Sequence, residues 1–173
     1  MRARSLVVFL ALAAVLAGAA PSYAPPVVPT AAPAALDSLT GRVVRTVDGD
    51  TIHVRLASGV EKVRYIGIDT PEVHHPTRGE EPGGRAATEV NRRLVGNRAV
   101  RLEPDVQARD RYGRLLAYVW VKGPDGVEIM VNAELVRLGY AAVLTVPPNV
   151  RHAELFRKLA AEAREQHRGL WAP

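Results

Sequence analysis

The sequence predicts an α+β domain, in which five short β-strands form a small barrel and three α-helices are inserted between and after them. Short runs of alternating apolar and polar residues predict the strands. Apolar residues at helical spacing predict the helices. The chain has 173 residues and no cysteine, so a single hydrophobic core must supply its stability without disulfides or thiolate metal sites.

The first 36 residues differ in composition from the rest. Arg2 and Arg4 precede a short, almost wholly apolar run, and small residues that offer two candidate cleavage sites follow it. The run is too short to span a bilayer, so residues 1–24 are predicted to be a signal peptide. The Pro/Ala-rich residues 25–36 are predicted to be a disordered tether, and residues 37–173 the folded domain. The expected location is therefore secreted or periplasmic, with no stable membrane span in the mature form.

The charge balance is mildly basic. The formal net charge is +5, and without Arg2 and Arg4 the remainder carries 21 basic and 18 acidic residues, a net charge of +3. Such a surface suits a polyanionic partner, but it only slightly favours nucleic acid over an ordinary basic surface.

Alternation predicts three consecutive strands joined by tight turns. Asp48-Gly49 and Ser58-Gly59 are the turn signals, and three antiparallel strands in a meander are the simplest arrangement. Two further strands follow the first predicted helix. The five predicted strands are 41–47, 51–56, 60–68, 99–102 and 115–122.

Helical periodicity predicts the remaining elements. The three predicted helices cover residues 85–95, 131–138 and 150–167, and each is followed by a glycine that stops it. A five-stranded barrel of the OB type fits this strand count and is a known nucleic-acid scaffold. His53, His152 and His167 are expected to lie on the surface.

Carboxylates gather around the ends of the predicted strands. Asp50 follows the first turn, and Asp69 and Glu72 follow the third strand, where Pro71 ends the ladder. Oxygen ligands from different strands suit Ca²⁺ or Mg²⁺, and the Thr70 carbonyl could add to them. Taken singly, these aspartates fit ordinary turn residues better than metal ligands. The two clusters together, with arginines nearby, favour ligands.

Two arginines accompany these acids. Arg64 lies on the third predicted strand, and Arg114 follows a turn at Tyr112-Gly113. A forked guanidinium can stabilise the charge that builds up on a phosphate during phosphoryl transfer. Glu72 could act as a general base that takes a proton from the attacking water. The alternative for each arginine is a solvated strand residue.

Three motifs, in order and at compatible spacing, resemble the signatures of the staphylococcal nuclease (thermonuclease) family. They are the runs 48–51, 64–72 and 110–118, supported by residues 130–139 and 169–171. The resemblance covers the chain from about Leu39 to Trp171. It implies an OB barrel with three helices and a calcium-dependent phosphodiesterase that acts on DNA and RNA, preferably single-stranded, and leaves 3′-phosphate ends.

The resemblance also implies residue roles. The calcium ligands would be Asp50, Asp69 and the Thr70 carbonyl. The catalytic residues would be Arg64, Glu72 and Arg114. Substrate contacts would come from Arg78, in a loop that is basic in the family, and from Tyr112, for which a structural role is the alternative. The chain departs from the family at Thr145 and Pro147, where two tyrosines would line the nucleotide pocket, so weaker mononucleotide binding or a different base preference is expected.

Two further functions compete with the nuclease. A non-catalytic OB module that binds single strands would have no physical need for the complete set of acids and arginines. A cell-surface structural protein would be supported only by the Pro-rich segment. The chain is expected to be a monomer.

Overall fold

The structure is a computed structural model that describes residues 38–73 and 79–173. Within these residues the chain forms eight strands, three α-helices and one short 3₁₀-helix. The strands are β1 (Leu39–Thr46), β2 (Thr51–Leu56), β3 (Gly59–Tyr65), β4 (Ile68–Asp69), β5 (Ala99–Glu103), β6 (Leu115–Lys122), β7 (Glu128–Met130) and β8 (Ala142–Val143). The helices are α1 (Gly84–Val95), α2 (Val131–Arg137) and α3 (Ala153–Glu165), and the 3₁₀-helix is Gly169–Trp171.

Five of the strands close into a barrel. Antiparallel pairing runs in the order β3-β2-β1-β5-β6, and β3 pairs with β6 in parallel to close the ring. Inward side chains such as Ile52, Val54, Val63 and Leu102 are completely buried, because alternate residues of each strand face the interior. The fold confirms the predicted five-stranded OB-type barrel with three helices.

The helices cover one end of the barrel and are joined to it by a buried amide. The Asn132 side chain, at the start of α2, accepts a hydrogen bond from the Val119 N–H at 2.9 Å. Its Nδ2 donates to the Ile66 carbonyl at 2.9 Å. Asn132 thus bonds the backbone where β3 and β6 diverge, because groups that leave a ladder must find other partners when buried.

The third strand is shorter than predicted. It ends at Tyr65 rather than continuing to Ile68, because Gly67 has a φ of +80° that strand residues do not adopt. A Cβ atom on Gly67 would lie 2.5 Å from the Phe156 ring. Packing of α3 therefore requires glycine here, and the chain resumes as β4, which pairs with β8.

The prediction that His152 lies on the surface is wrong. Its ring packs edge-on against Tyr118, with ring centroids 4.5 Å apart, and its side chain is only 15% exposed. Helix α3 begins at Ala153, three residues later than predicted. The periodicity could not show that His152 precedes the helix and packs against Tyr118 at its entrance.

Some predictions fall outside the described residues. These are the signal peptide at 1–24, the tether at 25–36 and the substrate contact at Arg78. Among residues 38–73 and 79–173, no helix combines the length and apolar composition that a membrane crossing requires.

Candidate active site

Asp50 is a buried carboxylate at the point where β2 begins. Its side chain is 1% exposed. Oδ2 accepts a hydrogen bond from the Thr70 N–H at 3.0 Å, and Oδ1 accepts one from the Thr51 hydroxyl at 3.1 Å. A buried carboxylate needs such donors, so the strand end and the loop after β4 are held together through this one side chain.

The turn before Asp50 brings it against that loop. A Cβ atom on Gly49 would lie 2.5 Å from Thr70 Oγ1 and 2.9 Å from the Ala87 Cβ of α1, so only glycine permits this approach. Asp48 Oδ1 accepts the Asp50 N–H at 3.1 Å, which gives the turn its shape. Burial raises the pKa of Asp48, although Thr51 and Arg64 oppose the shift.

Arg64 lies between the two aspartates. Its Nη2 is 2.7 Å from Asp69 Oδ1, and its Nη1 forms an ion pair with Asp50. Arg64 and Asp50 are largely buried, whereas the Asp69 side chain is 57% exposed. The two carboxylates thus converge on one cationic group, with Asp50 at the buried side and Asp69 at the solvent side.

Arg114 is positioned by Asp110, four residues earlier. Asp110 Oδ1 accepts the backbone N–H groups of Tyr112 and Arg114, at 2.9 and 3.0 Å, and its Oδ2 lies 2.6 Å from Arg114 Nε. Burial alone would raise the pKa of Asp110, but the hydrogen bonds from Arg114 and Tyr112 outweigh it and hold the pKa below its usual range. Among the described residues, no acceptor bonds the two Nη groups of Arg114, which leaves them available to a ligand.

Arg64 and Arg114 line the same cleft. The cleft has a volume of about 440 Å³. Tyr112 stands at its rim, 68% exposed, with the Arg114 guanidinium 5.5 Å from its ring centre. The remaining wall is largely apolar and includes Ile68, Leu116, Leu144 and Val146.

Glu72 lies on the loop that follows Asp69 and Thr70. Its backbone N–H donates to Glu81 Oε2 at 3.0 Å, and its carbonyl accepts the Glu81 N–H at 2.8 Å. The residue is exposed. The structure therefore fixes the backbone of Glu72 two residues after Thr70 and leaves its side chain in contact with solvent.

The sequence-predicted site residues fall into three groups. Asp50, Asp69 and Thr70 surround Arg64, and Arg114 and Tyr112 lie with Arg64 around the cleft. Glu72 is exposed on the adjoining loop, and Arg78 is outside the described residues.

Sequence reasoning did not assign a role to Asp110, to Gln107 or to Asn149. Asn149 accepts the Gln107 N–H at 2.7 Å and donates to its carbonyl at 2.8 Å, which fixes the floor of the cleft. The i, i+4 spacing of Asp110 and Arg114 could have revealed that these two side chains pair, since a turn brings such residues together. Nothing in the local sequence indicates the pair from Gln107 to Asn149.

The donor set around Arg64 fits a hard divalent cation. Two carboxylates from different strands already converge on one positive charge, and all the nearby donors are oxygens. Within the described part of the chain, no three His, Cys, Asp or Glu side chains are grouped to hold a metal ion by themselves. A bound ion would therefore complete its coordination with backbone carbonyls, water or substrate, which Ca²⁺ and Mg²⁺ commonly do.

The fold and site define a class of protein: an OB barrel in which two arginines line one cleft and two carboxylates converge on one of those arginines. Residues 62–173 match the family model described as staphylococcal nuclease homologue. The chain belongs to this family.

Individual relatives agree with this assignment. The chain is 38% identical over 133 residues to a thermonuclease of Staphylococcus hyicus, a match that covers 77% of this chain and 76% of that protein. A thermonuclease of Staphylococcus intermedius is 39% identical over 129 residues, covering 75% of this chain and 74% of that protein. The SPbeta prophage-derived endonuclease YokF of Bacillus subtilis (strain 168) is 39% identical, and the match covers 42% of its length.

Proposed function

We propose that the chain is an exported, calcium-dependent nuclease that hydrolyses phosphodiester bonds of DNA and RNA. The observation that carries the proposal is that Arg64 and Arg114 line one cleft, while two carboxylates converge on Arg64. The thermonuclease and endonuclease relatives support the reaction class.

The two arginines would bind the scissile phosphate. In-line attack on phosphorus places extra negative charge on the equatorial oxygens, and forked guanidinium groups stabilise it with paired hydrogen bonds. Arg114 is prepared for this role, because Asp110 holds its Nε and no acceptor among the described residues bonds its Nη groups. Arg64 approaches from the opposite strand and is held by Asp69.

Glu72 would activate the water. Its exposed carboxylate accepts one proton from the attacking water as the new O–P bond forms. The P–O5′ bond then breaks, and the leaving oxygen takes a proton from solvent. The products are a 3′-phosphate end and a 5′-hydroxyl end.

Asp50, Asp69 and the Thr70 carbonyl would hold the calcium ion. When bound, the ion supplies positive charge against the phosphate oxygens and lowers the pKa of bound water. The hydrogen bond from Thr70 N–H to Asp50 orients one carboxylate for this task.

Substrate selection would depend on the rim of the cleft. Tyr112 offers an exposed ring on which an unpaired base can stack, which favours single strands. Arg78 would contact the substrate from the loop after Glu72. We also propose that residues 1–24 direct export of the protein and that it acts as a monomer.

Cleavage of heat-denatured DNA by the full chain tests this function. We expect cutting in calcium that stops in excess chelator and falls by orders of magnitude in Asp50→Asn. Glu89→Gln is the matched control, since Glu89 is a partly exposed acid on α1 whose ion pair among the described residues is with Arg92. Salt-sensitive strand binding without any cutting by the unmodified chain would instead indicate a non-catalytic binding module.

A further inference from the structure

The outer face of the barrel carries a second group of cations next to the cleft. On β1, β2 and β3, inward residues such as Val54 and Val63 are buried, so their sequence neighbours face outward. Four of these outward residues are basic: Arg45, His53, Arg55 and Lys62. We call them the cationic stripe.

The strand register gathers basic side chains into adjacent rows. Arg45 pairs with His53 across β1 and β2, and His53 pairs with Lys62 across β2 and β3. Arg55 faces Arg42 in the next row. These two facing arginines are like charges, which destabilise a sheet, so packing gives no reason for this arrangement.

Acids do not neutralise the stripe. Within the described residues, Arg45, Arg55 and Lys62 form no ion pair or side-chain hydrogen bond. Glu61, the neighbour of Lys62 on β3, alternates to the other face and pairs with Arg109. The Asp48 carboxylate interacts with Lys62 only through its charge, without an ion-pair contact among the described residues. Burial lowers the pKa of His53, and the positive charges of Arg45 and Lys62 lower it further, which shows that these side chains share one positive field.

The stripe leads into the proposed active site. Arg64 follows Lys62 on the same face of β3, and Thr51, next to Asp50, is its cross-strand partner. Successive rows on one face lie about 7 Å apart, since a strand rises about 3.4 Å per residue. Three rows thus form a track of positive charge about 14 Å long that ends at the arginine of the cleft.

We propose that the cationic stripe binds the phosphodiester backbone of a single nucleic-acid strand whose scissile phosphate lies in the cleft. This rests on the proposed nuclease function and adds an extended substrate-binding track to it. The occupant follows from charge complementarity and from continuity with Arg64. The face formed by β2 and β3 is also a face that OB folds use for oligonucleotides.

The test compares two triple variants of the full chain that remove equal charge. The stripe variant is R45Q/R55Q/K62Q. The control is R93Q/K122Q/K158Q, which removes three exposed cations of α1, β6 and α3 that lie outside the stripe. Binding of a fluorescent sixteen-residue oligothymidylate is measured in excess chelator from 50 to 200 mM salt, so that nothing is cut.

We expect the stripe variant to bind at least tenfold more weakly at low salt. Its plot of log K against log[salt] should be shallower by about 2, because each lost phosphate contact on a single strand removes about 0.7. The control should bind within threefold of the unmodified chain. Equal weakening in both variants, or normal binding by the stripe variant, would overturn the proposal.

Two further measurements separate the alternatives. Hydrolysis of a nitrophenyl phosphodiester, which is too short to reach the stripe, should be unchanged in the stripe variant. If the unmodified chain does not cleave heat-denatured DNA, the nuclease function fails, whereas oligothymidylate binding still tests the stripe. Loss of binding to phosphatidylserine vesicles with oligothymidylate binding retained would assign the stripe to a lipid surface and overturn the proposal.

The folded state provides a check on the variants. Removing opposed like charges should raise the melting temperature of the stripe variant slightly. If the triple variant is not folded, Lys62→Gln alone is expected to reduce the salt slope by about 0.7, and an unchanged slope would contradict the proposal.

Discussion

Two clusters of charged side chains lie at different places on the barrel, and they use their charges differently. The cleft cluster consists of Asp50, Asp69, Arg64 and Arg114. The α3 cluster consists of Glu103, Asp105, Arg151 and His152, where the start of α3 meets β5. The first leaves charges open to a ligand, whereas the second satisfies them internally.

In the α3 cluster each carboxylate has several donors from distant parts of the chain. Glu103 accepts hydrogen bonds from Arg151 Nη1 at 2.6 Å and from Trp120 Nε1 at 2.8 Å. Asp105 accepts from the Tyr118 hydroxyl at 3.0 Å and from the Arg151 N–H at 3.1 Å. These bonds fasten the entrance of α3 to the barrel, so the cluster serves stability.

In the cleft cluster the donors and acceptors are less completely used. Asp69 is more than half exposed and is bonded by Arg64. Among the described residues, the Arg114 guanidinium is bonded to Asp110 through its Nε alone. Incomplete internal pairing costs stability and provides binding capacity, which is the usual pattern at functional sites. Variants in the two clusters should therefore affect different properties.

The largest expected effect is loss of activity in Glu72→Gln. Removing a general base typically reduces the rate by about 10²–10⁴-fold. The exposed side chain should contribute little to folding, so the melting temperature should stay unchanged. Single-turnover cleavage of an oligonucleotide measures the rate, and Glu80→Gln on the same loop is the control. A rate within threefold of the unmodified chain would remove Glu72 from the mechanism.

Arg114→Lys should come next. It keeps the positive charge but loses the fork that binds two phosphate oxygens, and losing one such donor reduces kcat by about 10²–10³-fold. Arg111→Lys, three residues earlier in the same turn, should change kcat by less than threefold. Equal losses in both variants would indicate that the turn as a whole matters rather than the geometry of Arg114.

Acid unfolding should depend on the α3 cluster. Burial alone would raise the pKa of Glu103, but His152, Arg151 and Trp120 outweigh it and lower the pKa to about 2. A group with a depressed folded-state pKa stabilises the fold above its unfolded pKa of 4.5 and loses that contribution as pH falls towards the folded value. The loss amounts to about 3 kcal/mol between about pH 5 and pH 2.

Urea unfolding at several pH values measures this contribution. Glu103→Gln should be less stable at neutral pH and should show a flatter dependence below pH 5, with nuclease activity at neutral pH retained. Glu154→Gln, an exposed acid on α3, is the control. An unchanged pH dependence in Glu103→Gln would show that other carboxylates govern acid unfolding.

The smallest expected effect concerns the apolar wall of the cleft. The resemblance places the missing tyrosines at Thr145 and Pro147, whereas the side chains that line the cleft are Leu144 and Val146. Val146→Tyr should tighten binding of a short oligonucleotide by about 1–3 kcal/mol, because it adds one stacking surface. Thr145→Tyr serves as the comparison. Tighter binding in Thr145→Tyr than in Val146→Tyr would show that the base stacks at the position given by the family resemblance and not at a residue that lines the cleft.

Much of the fold could be predicted from local patterns. Alternation predicted β2 with its observed bounds, because a strand buried on one face must repeat every second residue. The bounds of β6 were also predicted, although this mainly apolar strand is buried on both faces and does not alternate. The glycine after each helix predicted where the helices stop. The third strand was predicted to be too long, since its end depends on the contact between Gly67 and Phe156 rather than on local sequence.

The site could be predicted in part. Three short motifs indicated which acids and arginines to consider, and family membership is confirmed. Their roles in catalysis and calcium binding remain predictions. The i, i+4 spacing of Asp110 and Arg114 was a local signal that the prediction did not use. Local sequence could not show that Asn149 fixes Gln107, because that pair forms only where separate loops meet.

The sequence by itself determined the five barrel strands and the three helices to within a few residues, and the family, since each depends on residues close together along the chain. It did not predict the short strands β4, β7 and β8. The tertiary structure decided which charges meet. Closure of the barrel through β3 and β6 brings Arg64 and Arg114 to one cleft, and the strand register sets Arg45, His53 and Lys62 in one row. These contacts join distant residues, so they depend on how the strands pair and not on the period of any one strand.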